Sequence, residues 1–142
     1  MTEVPNLLEG YATRQAVTDL LHQVTAAADA RDWGTWEQLF VLDAVVDYRG
    51  AGGRRGTPPE VRSDLASDFE ELDLVRHLVT NVRVDLVDTA TASAQALFLS
   101  PVRGKPDHPA SLVGGRYELQ ARVVADSWRL THLSAHLEWW TG

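Results

Sequence analysis

The 142-residue chain has no cysteine and only one lysine, Lys105. Without thiols there is no disulfide framework, no thiolate nucleophile and no thiolate metal site. Lys105 lies in a Pro/Gly-rich loop, which discounts a Schiff-base mechanism. No run approaches 18 apolar residues, so the sequence offers no transmembrane helix. Met1-Thr2-Glu3-Val4-Pro5 has neither a basic nor an apolar leader region, so no signal peptide is read and a cytoplasmic address is the default expectation. Positive charge is in deficit: 13 Lys+Arg against 20 Asp+Glu give a net charge of −7. That argues against nucleic-acid and anionic-membrane partners, both of which demand a basic footprint. The chain shows no fixed-period repeat.

What remains is ordinary for one globular domain, with 44% hydrophobic and 23% charged residues and enough length to bury a core. The reading is one domain over 1–142, with residues 1–10 as a flexible arm. From Thr13 to about Ala30, Val17, Leu20, Leu21, Val24 and Ala28 recur at three- and four-residue steps, one face of an amphipathic helix. Asp29 falls beside that face, about 100° around from Ala28. Asp32 reads as the N-cap of a short second helix carrying Trp33, Trp36, Leu39 and Phe40.

Ala44-Val45-Val46-Asp47-Tyr48-Arg49 is β-branched and aromatic, a strand with Val46 and Tyr48 on one face. The glycine-rich stretch Gly50 to Gly56 lacks the Lys-Ser/Thr of a phosphate loop. Thr57-Pro58-Pro59-Glu60 starts a third helix, with Val61, Leu65, Phe69 and Leu72 toward the core. From Arg76 the period changes to two. Segments reaching Leu86, then Ala90 to Val102, Leu112 to Val124 and Trp128 to Trp140 read as an antiparallel meander joined by turns. Helices first, then strand, helix and meander, is an α+β order. A curved, mostly antiparallel sheet wrapped by about three helices makes a cone-shaped barrel, and its interior is the expected site for a small molecule.

In their order and spacing, Asp29-Ala-Arg-Asp32-Trp33, Val45-Val46-Asp47-Tyr48, Arg76-His77-Leu-Val-Thr-Asn81, Gly115-Arg-Tyr117 and Ala125-Asp126-Ser127-Trp128-Arg129-Leu130 span nearly the whole chain. In this set the chain resembles the SnoaL-like branch of the nuclear-transport-factor-2-like superfamily. Its lyase members include scytalone dehydratase, bile acid 7α-dehydratase and hexachlorocyclohexane dehydrochlorinase. The resemblance implies an α+β barrel of about six strands, frequently a dimer or trimer. It implies that Asp29 orients His77, that His77 removes a proton, and that Tyr48 polarises an oxygen. Ala28 stands where scytalone dehydratase carries a second tyrosine, and the Gly114–Arg116 region lacks a further histidine that it has. What the resemblance leaves is a one-histidine elimination or isomerisation.

These residues can also be read structurally. Asp29 can cap a helix or pair with Arg31, His77 can be an interior histidine, and Tyr48 can be a core tyrosine. Val24, Trp33 and Asn81 are candidate substrate contacts, Asn81 on the assumption that it shares a strand face with His77. His132, Ser134 and His136 share one face of the last strand with Trp128 and Trp140. Facing inward, His132 and Trp128 would line the cavity; facing outward, the row would belong to a subunit interface. A metal is disfavoured, because strand residues four apart sit roughly 13 Å apart and no carboxylate cluster joins them. The expected activity is a lyase or isomerase without cofactor or metal. Its substrate would be a small, hydrophobic, oxygenated molecule such as a polyketide or steroid. Polyketide aldol cyclisation and a noncatalytic role, as ligand carrier or as small subunit of a ring-hydroxylating dioxygenase, are the alternatives.

Overall fold

In the computed structural model, residues 6–142 are described. The elements run α1 (Leu7–Asp29), α2 (Trp33–Gln38), β1 (Phe40–Asp47), a 3-10 turn (Arg49–Ala51), β2 (Arg55–Gly56), α3 (Pro58–Glu70), β3 (Leu74–Val75), β4 (Leu78–Leu86), β5 (Thr91–Arg103), β6 (Ser111–Val124) and β7 (Ser127–Trp140). One seven-stranded sheet has the order β2-β1-β7-β6-β5-β3, with β4 also paired to β5. The fold is the expected α+β cone, a curled half-barrel sheet with three helices. Every pairing is antiparallel except that of β1 with β7, which is parallel. No helix among the described residues is long and apolar enough to cross a membrane.

α1 closes the cone because Val17, Leu20, Leu21, Val24, Ala27 and Ala28 are buried along one side of it. Ala92, Ala94 and Ala96 of β5 belong to the same core.

Five sequence expectations change. The arm expected over 1–10 is helical from Leu7: Asn6 and Glu9 form a reciprocal capping box, and Leu7, Leu8 and Tyr11 are exposed, so no buried face announces this first turn. Residues 1–5 of that arm lie outside the described residues. The strand expected at Ala44 begins at Phe40 and ends before Tyr48, which caps the 3-10 turn. The strand expected from Arg76 is broken: β3 and β4 lie end to end along β5, and Arg76 and His77 fall in the gap. Inside β4, Asn81 has φ 55° and the register slips between Thr80 and Arg83. That bulge reverses the alternation, so Val79, Val82 and Val84 all pack against the core while Asn81 is exposed. Asn81 therefore does not share His77's face, as strict alternation had placed it.

A second slip, between Gln120 and Ala121 opposite His132 and Leu130, does the same to β7. Leu130, Leu133 and Ala135 are in the core, and His132, Ser134 and His136, at the alternate positions, stand on the outer face. His132 and Trp128 consequently do not share a face. One inserted residue had moved half of a strand to the other side.

Candidate active site

α1 ends at Asp29, where the aligned peptide dipoles leave partial negative charge and an anion is poorly placed without donors. The donors come from His77. Its backbone N–H donates to Asp29 Oδ2 at 2.9 Å, and its ring Nδ1 lies 2.5 Å from Asp29 Oδ1. The gap between β3 and β4 leaves the backbone N–H available: at this point Arg76, not His77, donates to Pro101 of β5. A carboxylate can only accept, so Nδ1 carries the ring proton and neutral His77 keeps the lone pair on Nε2. The two side chains are 18% and 15% exposed, Asp29 and His77 respectively. The pair is sheltered from water without being sealed from it.

The corner after Asp29 positions a third element. Asp32 caps α2 through Thr35 N and Thr35 Oγ1. Arg31, at φ 59°, does not pair with Asp29. Its guanidinium donates to the carbonyls of Phe69 and, at 2.8 Å, Leu72. Phe69 is in the last turn of α3 and Leu72 lies just past its end, and a cation suits the negative end of a helix. Through this clamp the α1–α2 corner holds Phe69 over the dyad. The Phe69 and His77 rings stack with centroids 6.3 Å apart and planes 18° apart, and Trp33 meets Phe69 edge-on at 5.3 Å.

Beneath Phe69 is a cavity of about 60 Å³, lined by Val24, Thr25, Ala28, Trp36, Tyr48, Leu65, Phe69, His77, Tyr117 and Leu133. The walls are apolar apart from Thr25, which turns its hydroxyl to the carbonyls of Leu21 and His22, the imidazole and two phenols. Burial pushes the Tyr48 phenol well up from its ordinary range. Burial also raises Tyr117, and the neighbouring Tyr48 and the Asp29 carboxylate push it further. Both hydroxyls are therefore neutral donors at physiological pH.

The structure brings His77, Tyr48 and Val24 to one cavity, with Asp29 directly behind His77. Trp33 stands one layer out, against Trp36 and Phe69. Asn81 lines an outer groove with Arg83, Gln95 and Arg116. His132 lines another outer groove with Asp85, Gln95 and Glu118, its Nε2 2.9 Å from Ser134 Oγ. Trp128 packs against the core away from the cavity. Sequence reasoning missed Tyr117. The signal was present, since Tyr117, Leu119 and Ala121 alternate on one strand face, but a polar tip among apolar neighbours was not singled out. Among the described residues no three His, Asp or Glu side chains cluster closely enough to hold a metal.

The SnoaL-like domain model matches residues 10–134. Three solved structures from two species share the fold. A Novosphingobium aromaticivorans protein named for an aromatic ring hydroxylase is 27% identical, covers 91% of this chain and 92% of its own, and has a TM-score of 0.81. Another from the same organism, named for scytalone dehydratase, is 18% identical with coverages of 94% and 89% and a TM-score of 0.83. Hexachlorocyclohexane dehydrochlorinase LinA-type3 from Novosphingobium barchaimii LL02 is 20% identical, with coverages of 96% and 93% and a TM-score of 0.82.

Proposed function

The chain belongs to the SnoaL-like domain family, and from that premise we propose that it is a cofactor-independent lyase or isomerase acting on a small oxygenated molecule. The observation that carries this reading is His77, held at Nδ1 and at its own backbone N–H by one carboxylate while its ring walls an apolar cavity. In this reading Nε2 takes a proton from the carbon beside a carbonyl. The electron pair left behind enters the carbon–carbon bond as the carbonyl oxygen gains negative charge. Tyr48, and Tyr117 beside it, donate hydrogen bonds to that oxygen, and both remain protonated to do so. Asp29 offsets the imidazolium that forms.

Two outcomes then balance. If a hydroxyl sits one carbon further, the imidazolium gives its proton to it and water leaves with the bonding pair, which is dehydration. Otherwise the proton returns to another carbon, which is isomerisation. Structural neighbours named for a dehydratase and a dehydrochlorinase fit an elimination. Aldol cyclisation would use the same base and the same phenols.

The test needs no native substrate. Deuterium uptake from D2O into the carbon beside the carbonyl of 1-tetralone, followed by NMR, reads proton abstraction directly. Wild type accelerates it and His77→Ala returns it to the buffer rate with an unchanged circular dichroism spectrum. A folded His77→Ala that exchanges as fast as wild type ends the dyad reading in favour of a noncatalytic role. Self-association belongs to the same proposal. It is supported by two large aromatic side chains, Trp139 and Trp140, left exposed at the end of β7, and sedimentation velocity checks it.

A further inference from the structure

The cavity at His77 is too small for any ring. Its 60 Å³ is well under half of the roughly 150 Å³ of a cavity that accommodates benzene. Immediately outside it lies a hollow of about 230 Å³, lined by Tyr48, Ala51, Gly52, Gly53, Arg54, Val61, Asp64, Leu65, Asp68 and Phe69. Tyr48, Leu65 and Phe69 are walls of both.

Resting on the proposed function, we infer that these are two chambers of one site, divided by the Leu65 and Phe69 side chains. The substrate is an uncharged molecule of one or two rings that enters past α3, with its reacting carbon in the inner chamber and its ring in the outer one.

The division is a side-chain matter. Leu65 and Phe69 are four residues apart and so neighbours on one face of α3, and both are only partly buried. The helix beneath them is tied at both ends. Arg54 holds Asp64 at 2.7 and 3.1 Å and reaches the Glu60 carbonyl, and Arg31 holds the Phe69 carbonyl in the last turn and the Leu72 carbonyl just beyond it. Opening therefore needs rotamer changes at Leu65 and Phe69 rather than displacement of the helix. Even joined, the two chambers sit at the bottom of the roughly 300–1,000 Å³ span of ligand pockets, which rules out a four-ring steroid. Charge sets the second limit. Among the described residues the one cation on the outer wall, Arg54, is committed to Asp64 and Glu60, and Asp68 stands beside them on the same wall. An anion would meet carboxylates with no cation to spare, while a hydroxyl would find acceptors.

Equilibrium binding of 2-naphthol, 2-naphthoate and testosterone separates these claims, with Asp29→Asn measured in parallel. Wild type should bind 2-naphthol at least tenfold more tightly than either of the others. Asp29→Asn, which disturbs the base but replaces no residue lining either chamber, should keep that ranking, so failure of the base and failure of the chambers are read apart. Phe69→Ala should raise testosterone affinity at least tenfold, and Leu65→Ala serves as the second variant should Phe69→Ala not fold. Wild type binding testosterone or 2-naphthoate as tightly as 2-naphthol overturns the proposal. So does a folded partition variant whose three affinities match those of wild type.

Discussion

The carboxylate of Asp29 grips His77 twice, at the ring Nδ1 at 2.5 Å and at the backbone N–H at 2.9 Å. One side chain thereby fixes both where the imidazole sits and which of its nitrogens carries the proton. Asp29→Asn separates the two. The amide oxygen can still accept from the backbone N–H, but the amide NH2 facing Nδ1 must donate, so the ring proton moves to Nε2. Nitrogen-15 NMR of the imidazole should report the Nδ1–H tautomer in wild type and the Nε2–H tautomer in the variant. Tetralone exchange should fall by about 10²–10⁴, the typical worth of a positioned base, with KM little changed. A variant that keeps the wild-type tautomer contradicts the assignment.

The two cavity phenols carry a pH prediction. Burial raises both in the folded state, so folding favours their protonated forms. Their contribution to stability is fully present below the unfolded tyrosine value of about 10 and is lost as pH rises through the folded values. Absorbance at 295 nm between pH 9 and 11 should therefore show at most one of the three tyrosines ionising while the protein is folded. The remaining signal should arrive together with loss of the circular dichroism spectrum. Three ionisations in the folded state would show that Tyr48 and Tyr117 are open to water.

Arg31 combines a left-handed backbone with the clamp on α3. Arg31→Ala loses the clamp and keeps the unfavourable φ, at a cost of about 1 kcal/mol for an exposed group at a helix end. Arg31→Gly also loses the clamp but is at ease at positive φ. Urea denaturation should place Arg31→Gly between wild type and Arg31→Ala, and hydrogen exchange near Leu72 should quicken in both. If alanine proves the milder change, the strain at Arg31 is not where the backbone puts it.

The β6–β7 hairpin turns on Ala125 and Asp126, both at positive φ, 50° and 66°. A two-residue turn of this kind favours Asn-Gly, because most side chains resist the left-handed region. Replacing the pair by Asn-Gly should stabilise the fold by about 1 kcal/mol, seen as a higher urea midpoint at unchanged slope. A lower midpoint would mean that the Ala125 or Asp126 side chain contributes something that the turn geometry does not show.

Periodicity carried much of this architecture. The buried stripe Val17, Leu20, Leu21, Val24 and Ala28 is spaced as a helix face should be, and it is the face that closes the cone. The N-cap at Asp32 and the capped start at Thr57 are local chemistry, satisfied within three residues along the chain. Asn81 and His132 show what periodicity misses. A bulge inserts one residue without a mark in composition, and everything beyond it changes sides. Tyr48 shows a milder version, since it lines the cavity from just past its strand. The pairing of β1 with β7, and the resulting approach of Tyr48 to Tyr117, is set by the whole sheet. No local window of sequence contains it.

That parallel pairing also sets an order of events. Val45 and Val46 of β1 lie beside His132 and Leu133 of β7, more than eighty positions later in the sequence. During synthesis α1, α2 and β1 emerge long before the strand that β1 must pair with, and contacts so distant in sequence form slowly. The cavity gathers Val24, Tyr48, His77, Tyr117 and Leu133, so no half-made chain can possess it. Until β7 docks, the early helices hold an unfilled apolar face exposed to whatever is nearby. The site is the seam along which the fold closes, and its ligand-binding signal would serve as a clock for the final step of folding.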